Sequence, residues 1–164
     1  MPLETTTMLT YDEYKKFNYA VLHKTLGFKM KILYIASAVL IIINVILIFS
    51  QGFIDSYNIA MFAFVFIWLF LLYFIPNRQI KKTYNTTKII QNYNSIMTFY
   101  DDYYTEKSDF NFTQIKYDEL HKIIETNTHF YLLVGEIGGS IVIKENCSAQ
   151  LIEFLQKIKI EFKK

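Results

Sequence analysis

The sequence predicts a membrane α+β protein: a two-helix transmembrane hairpin joined to an antiparallel β domain that a C-terminal helix closes. Three observations lead there. Charge is segregated, since residues 32–75 carry Asp55 alone while the flanks hold the other Lys, Arg, Asp and Glu side chains. Beyond residue 82 the chain is rich in β-branched and aromatic residues with a rough two-residue alternation. Its last stretch returns to apolar residues at helical spacing.

The chain of 164 residues has room for one small domain and a membrane segment. A net charge of +2 excludes the basic stripe of a nucleic-acid binder, so no nucleic-acid partner is expected. Cys147 is the only cysteine, which rules out an internal disulfide.

Residues 1–31 are read as an N-terminal strand followed by an amphipathic juxtamembrane helix. Thr5, Thr6 and Thr7 suit a short strand that pairs with the C-terminal domain. Thr10 followed by Glu13 is a capping-box pattern, which starts a helix near Tyr11. Tyr14, Phe17, Val21 and Leu22 recur on one face of it. The helix is expected to lie at the inner membrane surface or to run straight into the first span, with its lysines near anionic lipid or simply solvated.

Residues 32–54 form the first expected span. They hold no charge, and about 20 residues at 1.5 Å each cross the hydrocarbon core. Residues 56–75 form the second, with Pro76 and Asn77 expected to end it. The link from Ser50 to Asp55 is too short for anything but an antiparallel hairpin. It contains no Lys or Arg, whereas Lys15, Lys16, Lys24, Lys29 and Lys31 precede the first span and Arg78, Lys81, Lys82 and Lys88 follow the second. The positive-inside rule then predicts a cell-membrane protein with two spans and both termini cytoplasmic. A cleaved signal peptide fits poorly, because the apolar run is too long and no small-residue cleavage site follows it. Asn44 is the one strongly polar residue in mid-span, a candidate for hydrogen bonding across the hairpin or to a second copy in a homo-oligomer.

Residues 76–164 form the expected cytoplasmic domain. Strands are read at residues 95–100, 103–107, 110–116, 120–126, 130–134 and 140–144, with turns at Asp101-Asp102, Ser108-Asp109 and Gly138-Gly139. Ser148 is placed to cap a helix whose Leu151, Leu155, Ile158 and Phe162 make one apolar stripe. That stripe must be buried against the sheet.

Tyr117, Leu120, Lys122, Ile123, Glu125, Thr126, Phe130, Tyr131 and Leu132, followed by Ile141 to Lys144 and the terminal helix, form an ordered pattern. With Leu9-Thr10, Asp12 and Tyr14 upstream and the two-span hairpin between, the chain resembles the YcxB family of small bacterial membrane proteins along nearly its whole length. Where that family often has a proline before the equivalent of Lys144, this chain has Ile143. The resemblance implies a pleckstrin-homology-like C-terminal domain. It brings no established activity and no site residues.

The chemistry-bearing residues are sparse. No phosphate-cradling glycine loop or nucleophile elbow occurs. His121, His129 and Cys147 would have to converge from two strands and a helix cap to bind a metal; His121 is read instead as a solvated strand residue and Cys147 as a small apolar filler. Asp101 and Asp102 are read as a turn rather than an acid-base pair, because adjacent strand residues point to opposite faces. Glu125 is expected to pair with Lys122 or Lys144. Tyr103 and Tyr104 are read as sheet residues rather than a base-stacking platform.

No catalytic, cofactor-binding or metal-binding residue is expected, and no cofactor. The function expected is a non-enzymatic binding or regulatory module held at the bilayer, with a cytoplasmic protein or a lipid headgroup as partner. The alternatives are an immunity or stress protein acting at the membrane and an accessory subunit of a membrane enzyme or transporter.

Overall fold

The computed structural model describes residues 2–161, in two compact units. The first comprises Met1–Lys24 and Thr83–Lys164, and the second, Thr25–Lys82, lies between those segments in sequence. Phe162 of the expected stripe lies outside the described residues.

The first unit opens with β1 (Leu3–Leu9), whose alternating pattern buries Thr5, Thr7 and Leu9. Its partner is distant in sequence: β1 runs antiparallel to β2 (Tyr93–Phe99), from Leu3 opposite Phe99 to Leu9 opposite Tyr93. β3 (Tyr103–Ser108) and β4 (Phe112–Lys116) complete a sheet of order β1-β2-β3-β4. The turn at Asp101-Asp102 is closed by the Tyr100 amide donating to the Tyr103 carbonyl at 2.9 Å. Asn92, with φ of 50°, turns the chain into β2 while its amide reaches the Leu9 carbonyl at 3.0 Å. Asn tolerates this left-handed conformation better than most residues.

A second sheet has order β5-β6-β7, with β5 (Lys122–Glu125), β6 (His129–Leu133) and β7 (Gly139–Ile143). Every residue of β6 is buried, because this sheet is covered on both faces. Phe130 and Leu132 face a core shared with Met97, Phe99, Tyr104 and the buried stripe Leu151, Leu155 and Ile158. The alternate residues Tyr131 and Leu133 face Leu9, Phe17 and Val21. The two-residue period of a strand therefore divides one apolar run between two cores.

Leu151, Leu155 and Ile158 lie on α3 (Ala149–Glu161). As expected from Ser148, its hydroxyl accepts the Leu151 amide at 3.2 Å. Phe17 and Val21 lie on α1 (Tyr11–Gln51), which begins where the capping pattern places it. The apolar face of these first turns is turned to the second sheet, with Phe17 5.5 Å from Tyr131 edge-on, and the helix runs on unbroken into the first apolar stretch.

Three side chains join β1 to the second sheet's outer strand and to the turn that follows it. The Thr7 hydroxyl donates to the Ile141 carbonyl at 2.9 Å and the Thr5 hydroxyl to the Asn146 carbonyl at 3.1 Å. The Asn146 amide returns a bond to the Thr6 carbonyl at 2.7 Å.

Gly138-Gly139, read from sequence as a turn, divides its duties. Gly139 is the first residue of β7, opposite Leu133, and a Cβ there would stand 2.2 Å from the Leu132 carbonyl oxygen. Close approach of two backbones is what demands glycine at this position.

In the second unit α1 ends at Gln51 and α2 (Ser56–Thr86) begins after a short turn. Gly52, with φ of +75°, ends α1 as its amide bonds the Ile48 carbonyl at 2.9 Å. Asp55 and Asn58 cap α2 reciprocally, each side-chain oxygen accepting the other's amide at 2.9–3.0 Å. Both helices are long and apolar enough to cross a membrane.

One feature differs from the sequence reading. α2 does not stop at Pro76 but continues to Thr86. Proline removes one helical hydrogen bond, and the Asn77 side chain, donating to the Tyr73 carbonyl at 2.9 Å, adds a donor in the same turn. Asn44 does bond across the hairpin, one of the two arrangements expected of it, with Asn58 as its partner. Its amide donates to the Asn58 carbonyl at 3.0 Å, and the Asn58 amide donates to its side-chain oxygen at 2.9 Å, across the hairpin.

Asn44→Leu leaves the buried Asn58 amide unpaired and is expected to destabilise the helix pair by about 0.5–2 kcal/mol, with non-additive loss in an Asn44→Leu/Asn58→Leu cycle. Unfolding in detergent measures it, and additive losses would show that the two amides do not act together. Gly139→Ala is expected to cost on the order of 2 kcal/mol through its clash with the β6 backbone, read as a lower melting temperature.

Candidate functional site: a carboxylate cleft between the sheets

Wholly within the first unit, the two sheets separate beside β1 to leave a cleft of about 210 Å³. Strands β1, β2 and β3 supply Thr7, Leu9, Tyr93, Ser95 and Glu106, β7 supplies Gly139 to Ile141, and the first turns of α1 supply Tyr14 and Phe17. Strand periodicity explains the charge in this wall. Glu106 is in phase with the fully buried Tyr104 on β3, so it shares that inward face.

Glu106 is held by hydroxyl groups from two strands, β7 and β2. Ser140 donates to its Oε2 at 2.5 Å and Tyr93 to its Oε1 at 3.3 Å. Ser140 has a single hydroxyl proton, already given to the carboxylate, so Tyr104 is the donor in the 3.1 Å Tyr104–Ser140 bond. A relay Tyr104–Ser140–Glu106 results. Burial, reinforced by the nearby Glu106 charge, pushes the Tyr93 phenol up to about 12. Burial does the same to Tyr104, against the opposing effect of its Ser140 bond, also to about 12. Both phenols therefore remain protonated donors at neutral pH. A smaller cleft of about 130 Å³ shares Ile90, Tyr93 and Glu106 with the first.

Two further polar centres brace the unit. Glu13 reaches over the second sheet to His129, whose Nε2 it bonds, while Lys16 pairs with the same carboxylate at 2.8 Å. The capping box foreseen at Thr10 is thus half formed. The Glu13 amide reaches the Thr10 hydroxyl at 3.3 Å, but the Thr10 amide bonds the Met8 carbonyl and the Glu13 carboxylate is used elsewhere. His129 is almost fully buried, and burial drives its ring toward the neutral form despite the pull of Glu13. The neutral Nε2–H tautomer satisfies both nitrogens, donating to Glu13 and accepting from the Thr128 hydroxyl at Nδ1 over 2.7 Å.

Glu125 is the second brace. Of its two expected partners the structure selects Lys144, at 2.8 Å, and adds Lys159 of α3 at 2.6 Å with Gln156 at 3.1 Å. Burial opposes its charge, but the hydrogen bonds from Lys144, Lys159 and Gln156 prevail and lower its carboxyl to about 2. Lys144 also sits 4.5 Å from the Phe130 ring centroid.

The other residues singled out from sequence are not brought together. His121 is exposed in the loop before β5 rather than in a strand, and Cys147 packs against the core with its thiol on the Ile143 carbonyl. Among the described residues no three or more His, Cys, Asp or Glu side chains are grouped to hold a metal. Tyr103 stacks on Tyr100, whereas Tyr104 belongs to the core and the cleft relay. Sequence reading missed Glu106, Tyr93 and Ser140. The available signal was a charge in phase with inward-facing residues.

Fold and site define an α+β protein with two long apolar helices and a two-sheet unit that holds a cleft with a carboxylate in a largely apolar wall. Residues 99–158 match the family model described as YcxB-like protein, the family whose resemblance the sequence carries. The match runs from the last residue of β2 into α3; β1, the rest of β2 and both long helices lie outside it. No curated protein and no solved structure matches the chain.

Acidification is expected to destabilise the first unit. The lowered His129 value means that the unfolded chain takes up this proton first as pH falls through about 6.5, so stability present above that range is lost below it. Glu125 adds a further loss at lower pH, from its ordinary value near 4.5 down to about 2. Melting temperatures between pH 7.5 and 5.5 test this, and His129→Gln is expected to flatten the slope in that window.

Proposed function

We propose that the protein is a binding or regulatory module without catalytic activity, held at the inner face of the cell membrane by its two helices, with both termini in the cytoplasm. The observation that carries this reading is the cleft. Two sheets, a helix and several side-chain bonds fix its walls, and a hydroxyl-held carboxylate gives it polarity, as in a preformed site for a small group. The arrangement of a four-stranded and a three-stranded sheet with a C-terminal helix supports a pleckstrin-homology-like reading of the unit. Support for anchorage comes from the two long apolar helices and from the lysine-rich flanks of the hairpin. The partner is a cytoplasmic protein or a lipid headgroup that presents the complementary chemical group.

Protease treatment of membrane vesicles tests the anchorage and its direction. The β strands are expected to be digested in inverted vesicles and protected in right-side-out ones, and the opposite pattern would overturn the reading. Native mass spectrometry of protein extracted from its own membrane is expected to retain a non-covalent adduct, and bare protein under the mildest activation would count against binding.

A further inference from the structure

We propose that the cleft binds an organic ammonium group, with Glu106 as its counterion. This rests on reading the unit as a binding module and supplies the chemistry of what it binds. The contrast among its half-buried carboxylates is the starting point. Glu13 is paired with Lys16 and His129, and Glu125 with Lys144 and Lys159. Among the described residues Glu106 has no cation within ion-pair distance, although it lines the cleft and is held from two sides. Hydroxyl donors orient a carboxylate and ease its desolvation, but they leave its full negative charge in place.

The remaining wall selects among cations. Tyr14, Phe17 and Tyr93 present rings to the cleft, and Leu9, Ile90 and Ile141 present aliphatic surface. An ammonium group carrying carbon substituents matches both parts, with its charge at Glu106 and its CH groups against rings and aliphatic side chains. An anion would meet the carboxylate. A neutral apolar ligand would cover it without compensation, which is costly for a charge. A hard metal ion calls for six or more oxygen ligands, and among the described residues no acidic cluster is present to provide them. Free amines and the amine-bearing headgroups of phospholipids share the required chemistry.

Full-length protein in detergent, titrated calorimetrically with ethanolamine, choline and tetramethylammonium chloride, tests the proposal. Saturable binding of at least one is expected, weakened about tenfold or more by Glu106→Gln and little changed by Glu153→Gln on the exposed side of α3. Tyr93→Phe retains the charge and removes one of its hydroxyl donors, so a smaller loss, about two- to fivefold, is expected even should Glu106→Gln fail to fold. Nanodiscs that contain phosphatidylethanolamine, compared with nanodiscs of phosphatidylglycerol alone, separate the two sources. Competition with the soluble probe assigns the site to a headgroup, and its absence assigns it to a free amine. No saturable binding of any probe, equal binding of acetate, or affinity indifferent to the Glu106 and Tyr93 substitutions would overturn the proposal. An adduct retained in native mass spectrometry without saturable binding of any ammonium probe would overturn this proposal alone, whereas bare protein there would count against the binding-module reading on which it rests.

Discussion

The pairing of β1 with β2 is the constraint on which the first unit depends. Seven residues at one end of the chain meet seven that follow the whole helical hairpin. Were the intervening chain a flexible loop, its closure would carry an entropic cost that grows slowly with length. Two rigid helices joined by a capped turn are a different kind of connection. Within the first unit the arriving and departing segments touch, Tyr11 and Tyr14 packing on Tyr84 with ring centroids 5.5 and 5.7 Å apart. The Tyr84 hydroxyl bonds Asn92, whose amide in turn bonds Leu9. The strand is thus held where the second sheet needs it.

From that placement the rest of the unit follows. The inward side of β1 carries threonines, whose hydroxyls bond backbone carbonyls of the second sheet and of the turn after it. The helix that continues from β1 lies over the outer face of the second sheet, which explains a strand as uniformly buried as β6. Burying such a sheet on both sides also buries His129, and its two nitrogens are satisfied by Glu13 from the helix and Thr128 beside it. On the other side Glu125 gathers Lys144 and Lys159, tying α3 to the sheet that it covers. Each of these half-buried acids has at least one lysine at ion-pair distance.

Glu106 departs from that rule. The same alternation that brings Tyr104 into the core brings a carboxylate to the edge of it, where hydroxyls hold it at a cleft. The matched YcxB-like segment provides Glu106, Tyr104 and Ser140, whereas Thr7, Leu9, Phe17 and Tyr93 come from outside it. The cleft is therefore completed by residues on both sides of the hairpin in sequence. That composite origin ties the site to the folding of the whole first unit rather than to the matched segment alone.

Patterns local in sequence determined the two long apolar helices, the start of α1 at Tyr11, the six strands after residue 90 to within a few residues, the Asp101-Asp102 turn and the Ser148 cap. Each depends on spacing or on bonds between near neighbours, which composition and periodicity record. The continuation of α2 through Pro76 was not legible, because proline's local preference was outweighed by the regular helix around it. Nor were Asn58 as the partner of Asn44, the choice of Lys144 and Lys159 for Glu125, or the diversion of Glu13 from its cap to His129. These contacts join residues far apart in sequence, and only tertiary structure decides which polar groups meet. The cleft belongs to the same class: periodicity marks Glu106 as inward-facing, but the Ser140 and Tyr93 hydroxyls that make its charge tolerable come from strands that the fold alone brings beside it.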